Sequence, residues 1–213
     1  MGLVYAAELR PSKMELIAAW LPQQAWFDAE VPLGRLGAFR FNDPAGVVGM
    51  ETLIVGHGDR VYQVPLSYRG APLEGAEEFL MGTMEHSVLG SRWVYDAAGD
   101  PVYAAELAAA LLAGKPQAVE SREVDGQLEI LPFTAQVANT RPSHAGLPQL
   151  RLGALVTMDA VTRIPAGDVN LVIHRVLDTA GVVPEAAGSA VSALTATWPQ
   201  QKAPVVLAAA LPG

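Results

Sequence analysis

The chain has 213 residues, of which 51% are hydrophobic and only 17% charged, and its 22 acids against 14 Lys and Arg leave a net charge of −8. At this length a fold buries roughly 70% of its unfolded surface, so the composition excludes disorder, while an acidic balance with no Lys/Arg cluster argues against nucleic acid or an anionic membrane as partner. The absence of cysteine removes disulfides, zinc–thiolate centres, iron–sulfur clusters and cysteine nucleophiles.

Met1-Gly2-Leu3-Val4-Tyr5-Ala6-Ala7-Glu8 meets an acid too early for a secretory leader. No apolar run reaches the ~18 residues of a membrane span. The expected location is the cytoplasm. A first helix is predicted from Ser12-Lys13-Met14-Glu15, a capping-box pattern, followed by Met14, Ile17, Ala18 and Leu21 at helical spacing until Pro22. Trp26-Phe27 is then a large apolar anchor that another surface must cover.

From Leu33 the period changes to that of strands. Leu36 to Phe41 leads to a turn at Asn42-Asp43-Pro44-Ala45-Gly46, and Met50–Val55 with Val61–Arg69 reads as a hairpin around Gly56 to Arg60. Tyr62, Val64, Leu66 and Tyr68 share one face of the second arm. Pro65 cannot donate to a ladder, which predicts an edge strand or a bulge. Pro72 to Ala76 is loop.

Gly82 to Leu107 is the stretch around which the chain is organised. Val88, Trp93, Val94 and Tyr95 predict strand, with Gly90 a bend. Asp100 then caps a helix with Pro101 at its first position, Tyr103, Leu107 and Leu111 on one face, and Gly114 at its end. After Lys115-Pro116, Asp125-Gly126 predicts a hairpin between Ser121–Val124 and Gln127–Phe133. Thr140 to Leu147 is loop. Leu150–Ala160 and Val169–Leu177 are strand candidates joined across Pro165-Ala166-Gly167-Asp168, Gly181 to Gly188 is a break, and Val191–Trp198 with Pro204–Ala210 is a final hairpin. The pattern predicts an α+β fold, antiparallel and strand-rich, without βαβ units.

Few motifs carry chemistry. His57-Gly58-Asp59 imitates a kinase catalytic loop, but Val64 stands where the magnesium-holding Asn belongs, so a tight turn is the better reading. Gly56-x-Gly58 lacks a third glycine and Gly114-Lys115 lacks an upstream one, so neither cradles phosphates. No Lys occurs between Lys115 and Lys202. His57, His86, His144 and His174 never stand at i, i+4, and no serine lies in a nucleophile elbow. Glu77-Glu78 reads as a solvated face. The densest cluster is Glu85-His86 with Arg92, Trp93 and Tyr95, either a polar pocket with an aromatic floor or core aromatics beside a surface Glu85–Arg92 pair; the core reading predicts a buried Trp93.

Three pieces, in order, carry a resemblance: Trp20-Leu21-Pro22-Gln23-Gln24-Ala25-Trp26-Phe27, Tyr62-Gln63-Val64-Pro65-Leu66, and Val94-Tyr95-Asp96-Ala97 followed by Asp100-Pro101. Together they resemble the N-terminal cap domain of actinobacterial maltokinases, over about Glu8 to Gly114. The resemblance implies a cystatin-like first half, a helix on an antiparallel sheet, of the kind that sits on the N-lobe of kinases that phosphorylate maltose. The chain departs from the family at Ala25 and Asp28-Ala29-Glu30, where basic and glycine residues are usual. The stretch after Gly114 is too short for a kinase C-lobe, and a glucan-branching activity would need a barrel larger than the chain.

The expected organisation is a cap-like region over 1–115 and a strand-rich region over 116–213 packed on it as one unit. The expected function is that of a non-catalytic accessory or regulatory protein, not a complete kinase, binding a protein partner or a small ligand and linked to trehalose, glycogen or maltose metabolism. The alternative is a small sugar-binding protein or enzyme with a pocket of Glu85, His86, Arg92, Trp93 and Tyr95. No catalytic residue, cofactor, metal, nucleic acid or membrane enters either reading, and an oligomer stays open.

Overall fold

The computed structural model describes residues 2–28, 32–141, 150–180 and 190–213. Short strands β1 (Gly2–Leu3) and β2 (Leu9–Arg10) precede helix α1 (Lys13–Trp20). The Ser12 side chain accepts the Glu15 N–H while the Glu15 carboxylate accepts the Ser12 N–H, satisfying two donors that a helix start otherwise leaves orphaned. Pro22 lies in the single 3₁₀ turn at the end of α1. Strands β3 (Gly34–Asn42), β4 (Gly49–His57) and β5 (Arg60–Arg69) form a meander, and β6 (Leu80–His86) pairs with β7 (Gly90–Asp96). The six-stranded sheet they build is antiparallel, in the order β2-β6-β7-β5-β4-β3.

Alternation sorts this sheet into two faces. Leu53, Val55, Tyr62, Val64, Leu66, Met84 and Val94 pack under Leu16, Ile17, Trp20 and Leu21 of α1 and the turn after it. The Trp26-Phe27 anchor is covered here, with ring centroids 6.0 Å from Trp26 to Trp20 and 5.1 Å from Phe27 to Tyr62. The opposite face presents Phe39, Phe41, Met50, Ile54 and Val61 to helix α2 (Pro101–Ala113) and to the second half of the chain. Asp100 caps α2 by accepting the Val102 N–H, and Gly114 ends it at φ 66°, a left-handed conformation that glycine adopts without penalty. With Ala104, Leu107, Ala108, Ala109, Ala110 and Leu111 all buried, and Glu106 buried in a pair with Lys115, α2 is enclosed on several sides.

Beyond α2 lie β8 (Glu120–Val124) and β9 (Gln127–Ile130), a hairpin to which β1 adds a parallel strand. Asp125 and Gly126 take φ 51° and 79°, as a two-residue Asp-Gly hairpin requires. Strands β10 (Gln136–Asn139), β11 (Val156–Met158), β12 (Val161–Ala166), β13 (Val169–His174), β14 (Ser192–Trp198) and β15 (Gln201–Pro212) form a second antiparallel sheet in the order β10-β14-β15-β13-β12-β11. Its inner face, including Ile164, Leu171, Ile173, Leu194, Trp198 and Leu207, closes on α2 and the first sheet. The fold is therefore α+β, strand-rich and antiparallel apart from the β1–β8 pair.

Four expectations are corrected. Val88 lies in the β6–β7 turn, not in a strand. Trp93 is half-buried and belongs to neither large core, because its ladder neighbours are the polar Arg69 and Thr83. The stretch Leu150–Ala160 is not one strand: the chain turns at Asp159-Ala160, with φ 49° and 62°, a left-handed pair without the Asn or Gly that normally announces one. Pro65 sits in an interior strand. The Gln63 N–H points away from β4 to the Arg175 carbonyl, so the Pro65 nitrogen, two residues on, faces the same side, before β7 pairing begins at Leu66. The absent N–H thus leaves no ladder bond unmade. The predicted break at Gly181 to Gly188, most of the loop from Thr140 to Leu147, and His144 lie outside the described residues.

Polar contacts join the halves. Arg175, 1% exposed, donates to both Asp96 oxygens at 3.0 and 2.6 Å and to Thr162 Oγ1 at 2.7 Å. Gln63 Nε2 donates to the His174 and Leu207 carbonyls. Asn139 and Ser192 donate to the Ala110 and Leu111 carbonyls at the end of α2. We propose that 1–115 and 116–213 fold as one unit. Expressed separately, fragments 1–115 and 117–213 should each stay molten until mixed; cooperative melting of both alone contradicts this. Asp96→Ala, which leaves Arg175 buried and unpaired, should cost about 3–5 kcal/mol in denaturant unfolding.

Candidate functional site

A cavity of about 500 Å³ opens on the α1 face of the first sheet, beyond the first residue of the helix. Met84, His86, Arg92, Tyr68 and Arg40 come up from the sheet, Lys13 from α1, Val4 to Leu9 form one wall, and the turn from Asn42 to Gly49 forms another. Asp43 shapes that turn by accepting the N–H groups of Ala45, Val47 and Val48; these bonds outweigh its burial and hold its carboxyl below the ordinary range. Tyr5, Val47 and Leu89 line the cavity with their side chains substantially exposed.

Lys13, Arg40 and Tyr68 of its lining meet at Glu51, the one charged residue in the apolar strand Met50-Glu51-Thr52-Leu53-Ile54-Val55. Glu51 is 2% exposed and its carboxylate accepts from Lys13 Nζ, from Arg40 at 3.2 Å and from Tyr68 Oη at 3.3 Å, with Arg35 3.8 Å away. Burial alone would raise the Glu51 carboxyl, but Arg40, Lys13 and Arg35 outweigh it and keep it ionised. Burial lowers the Lys13 amine, an effect that Glu51 partly offsets, and burial together with the Glu51 charge pushes the Tyr68 phenol well up. Arg40 Nε lies 3.1 Å from Glu120 Oε2 yet donates to no partner, so the approach is off the N–H axis.

The five sequence candidates are divided by this arrangement. His86 and Arg92 line the cavity; Glu85, Trp93 and Tyr95 do not. His86 Nδ1 accepts the Val88 and Leu89 N–H groups, which leaves the ring proton on Nε2. Burial, then Arg92 and Lys13, lower its pKa. Arg92 donates to the Leu89 carbonyl. Exposed Glu85 bonds Ser91 Oγ at 2.7 Å instead of pairing with Arg92. Tyr95 is buried, its hydroxyl accepting the Leu73 N–H on the far side of the sheet's main alternation from Val94. Lys13, Arg40, Glu51 and Tyr68 escaped the sequence reading, although a lone acid inside a run of buried strand residues was a visible signal.

The remaining motifs are structural. His57-Gly58-Asp59 is an exposed hairpin tip with Gly58 at φ 60°, and Glu77-Glu78 is exposed. Among the described residues no cluster of His, Asp and Glu is arranged to hold a metal ion, and no helix is long and apolar enough to cross a membrane.

Residues 20–100 match the family model of the maltokinase N-terminal cap domain, and over that stretch the chain is a relative of this family. The match runs from the end of α1 to the cap of α2, so Arg40, Glu51, Tyr68, His86 and Arg92 lie inside it, while Lys13 and the wall from Val4 to Leu9 lie outside. No curated protein matches the chain.

The Glu51 cluster makes a pH prediction. Its folded carboxyl is depressed, so its stabilisation is complete above the unfolded value of about 4.3 and is lost as pH falls through the lower folded value. Melting of the wild type should therefore fall more steeply below about pH 4.3 than melting of Glu51→Gln, which should itself be less stable at pH 7 by on the order of 3 kcal/mol. Parallel pH profiles contradict this.

Proposed function

We propose that the protein is a non-catalytic binding module, associated through its cap-type sheet with maltose metabolism, and that the cavity over Lys13, Glu51 and Arg40 is its small-molecule site. The carrying observation is the cavity itself: a concave, partly apolar space with convergent polar groups on one side is the ordinary form of a ligand site. The non-catalytic part rests on the chemistry of the same groups. Lys13, Arg40 and Tyr68 are all engaged by one carboxylate, whose pKa the surrounding cations depress, an arrangement that positions donors and makes the carboxylate a weak base. The sequence His57-Gly58-Asp59 is a turn, which removes the candidate for a substrate-orienting kinase loop.

A protein partner is the second reading, favoured by one observation. Leu128 and Ile130 share a face of β9 and are largely exposed, with Phe133 exposed just beyond; an apolar face on a strand at a sheet edge invites pairing or docking. The two readings separate in a thermal-shift screen of neutral and charged sugars and nucleotides. At least one small molecule should raise the melting temperature of the wild type and not that of Val47→Trp, in which a 69% exposed residue at the cavity is enlarged to obstruct it. An equal response of both proteins places binding elsewhere. Mg–ATP should give neither a shift nor turnover of maltose; measurable turnover overturns the non-catalytic reading.

A further inference from the structure

We infer that the ligand of this cavity carries an oxyanion, a phosphate ester or a carboxylate, held by Lys13, Arg40 and Arg92; this rests on the reading of the cavity as a binding site. The cavity is lined by more charged donors than acceptors. The Glu51 oxygen Oε2 already accepts from Lys13, Arg40 and Tyr68. Lys13 has three N–H bonds and Arg40 five; one of each goes to Glu51 and Arg40 Nε is enclosed 3.1 Å from Glu120 Oε2, so the donors left for a ligand are those of Lys13 Nζ and the terminal Arg40 nitrogens.

Charge points the same way. Lys13, Arg35, Arg40 and Arg92 stand against Glu51, Glu120 and Asp43, and the Asp43 oxygens are taken up by their own turn. A residual positive charge thus faces a cavity in a protein whose net charge is −8. The field is felt by His86, which Arg92 and Lys13 both help to keep neutral; its Nε2–H is a further donor. The lining offers a neutral sugar more charged donors than acceptors. An oxyanion needs donors alone, and charge-assisted bonds of this kind are the stronger ones. Tyr5, Val47 and Leu89 at the cavity's edge offer apolar contact to the uncharged remainder of the ligand.

The test is isothermal titration calorimetry on the full chain at pH 7 with inorganic phosphate, glucose 1-phosphate, glucuronate and maltose. At least one of the three anions should bind, and the choice between glucose 1-phosphate and glucuronate identifies the oxyanion. Affinity should fall about tenfold or more in Arg92→Gln, as expected on losing a charged hydrogen bond, and should weaken with added sodium chloride. Lys13→Gln should abolish binding; because it also unpairs Glu51, Arg92→Gln, which loses a single side-chain hydrogen bond to the Leu89 carbonyl, serves as the variant that keeps the fold. Binding of maltose alone, or anion binding indifferent to both substitutions, overturns the inference while leaving the cavity as a site. Failure of every anion overturns it too, and the Val47→Trp comparison with neutral ligands then decides separately whether the cavity binds anything.

Discussion

A guanidinium enclosed by protein holds the two sheets in place. Arg175 has almost no access to water, so its charge is tolerable only because Asp96 meets it with two parallel hydrogen bonds and Thr162 takes a third. Asp96 ends β7, Arg175 comes directly after β13, and Thr162 lies in β12, so one ion pair ties the central strands of the first sheet to the second. Removing either partner would leave the other charged in a low-dielectric interior, which is strongly destabilising. Around it, Gln63 donates its amide to the two carbonyls of His174 and Leu207, and Arg175 Cζ rests 5.8 Å from the Trp26 ring.

The cavity depends on that arrangement at one remove. With the far face of the first sheet covered by α2 and the second sheet, the near face is free to divide. Its middle is roofed by α1, and its remaining part, past Lys13, is left to residues 4–9 and the Asp43 turn. Glu51 marks the boundary between these two parts. A carboxylate placed in the middle of an apolar strand must be compensated where it stands, and the compensation recruits Lys13 from the helix, Arg35 and Arg40 from β3, and Tyr68 from β5. The cluster is thus both a folding constraint and a supply of positive groups at the edge of a cavity.

Much of the fold was legible because it was signalled locally. The capping box at Ser12, Asp100-Pro101 with Gly114, the Asp125-Gly126 turn and the alternation of β5 each arise from neighbouring residues, and each is present. The elements that escaped are non-local or unsignalled. The Asp159-Ala160 turn carries Ala where such a turn usually has Gly, β10 is only four residues long, and the short β1 and β2 gain partners from distant chain. The candidate site shows the same division. His86 and Arg92 were found because they are close in sequence, along with Glu85, Trp93 and Tyr95, which strand alternation and the β6–β7 turn direct elsewhere. Lys13, Arg40 and Tyr68 converge only through Glu51, and nothing in one dimension places a helix-start lysine beside residue 51.

The central claim is that this convergence serves a ligand, not only the fold. The most direct measurement is a ¹H–¹⁵N NMR titration of the full chain with glucose 1-phosphate, following backbone amides together with the guanidinium Nε–H signals of Arg40 and Arg92. The account predicts saturable shifts confined to Leu9 to Lys13, the turn from Asp43 to Gly49, and the ends of β6 and β7, with the Arg92 guanidinium signal moving as it gains an acceptor. Shifts centred on the β9 strand or the Gly58 hairpin, with the Arg92 signal unmoved, would contradict it.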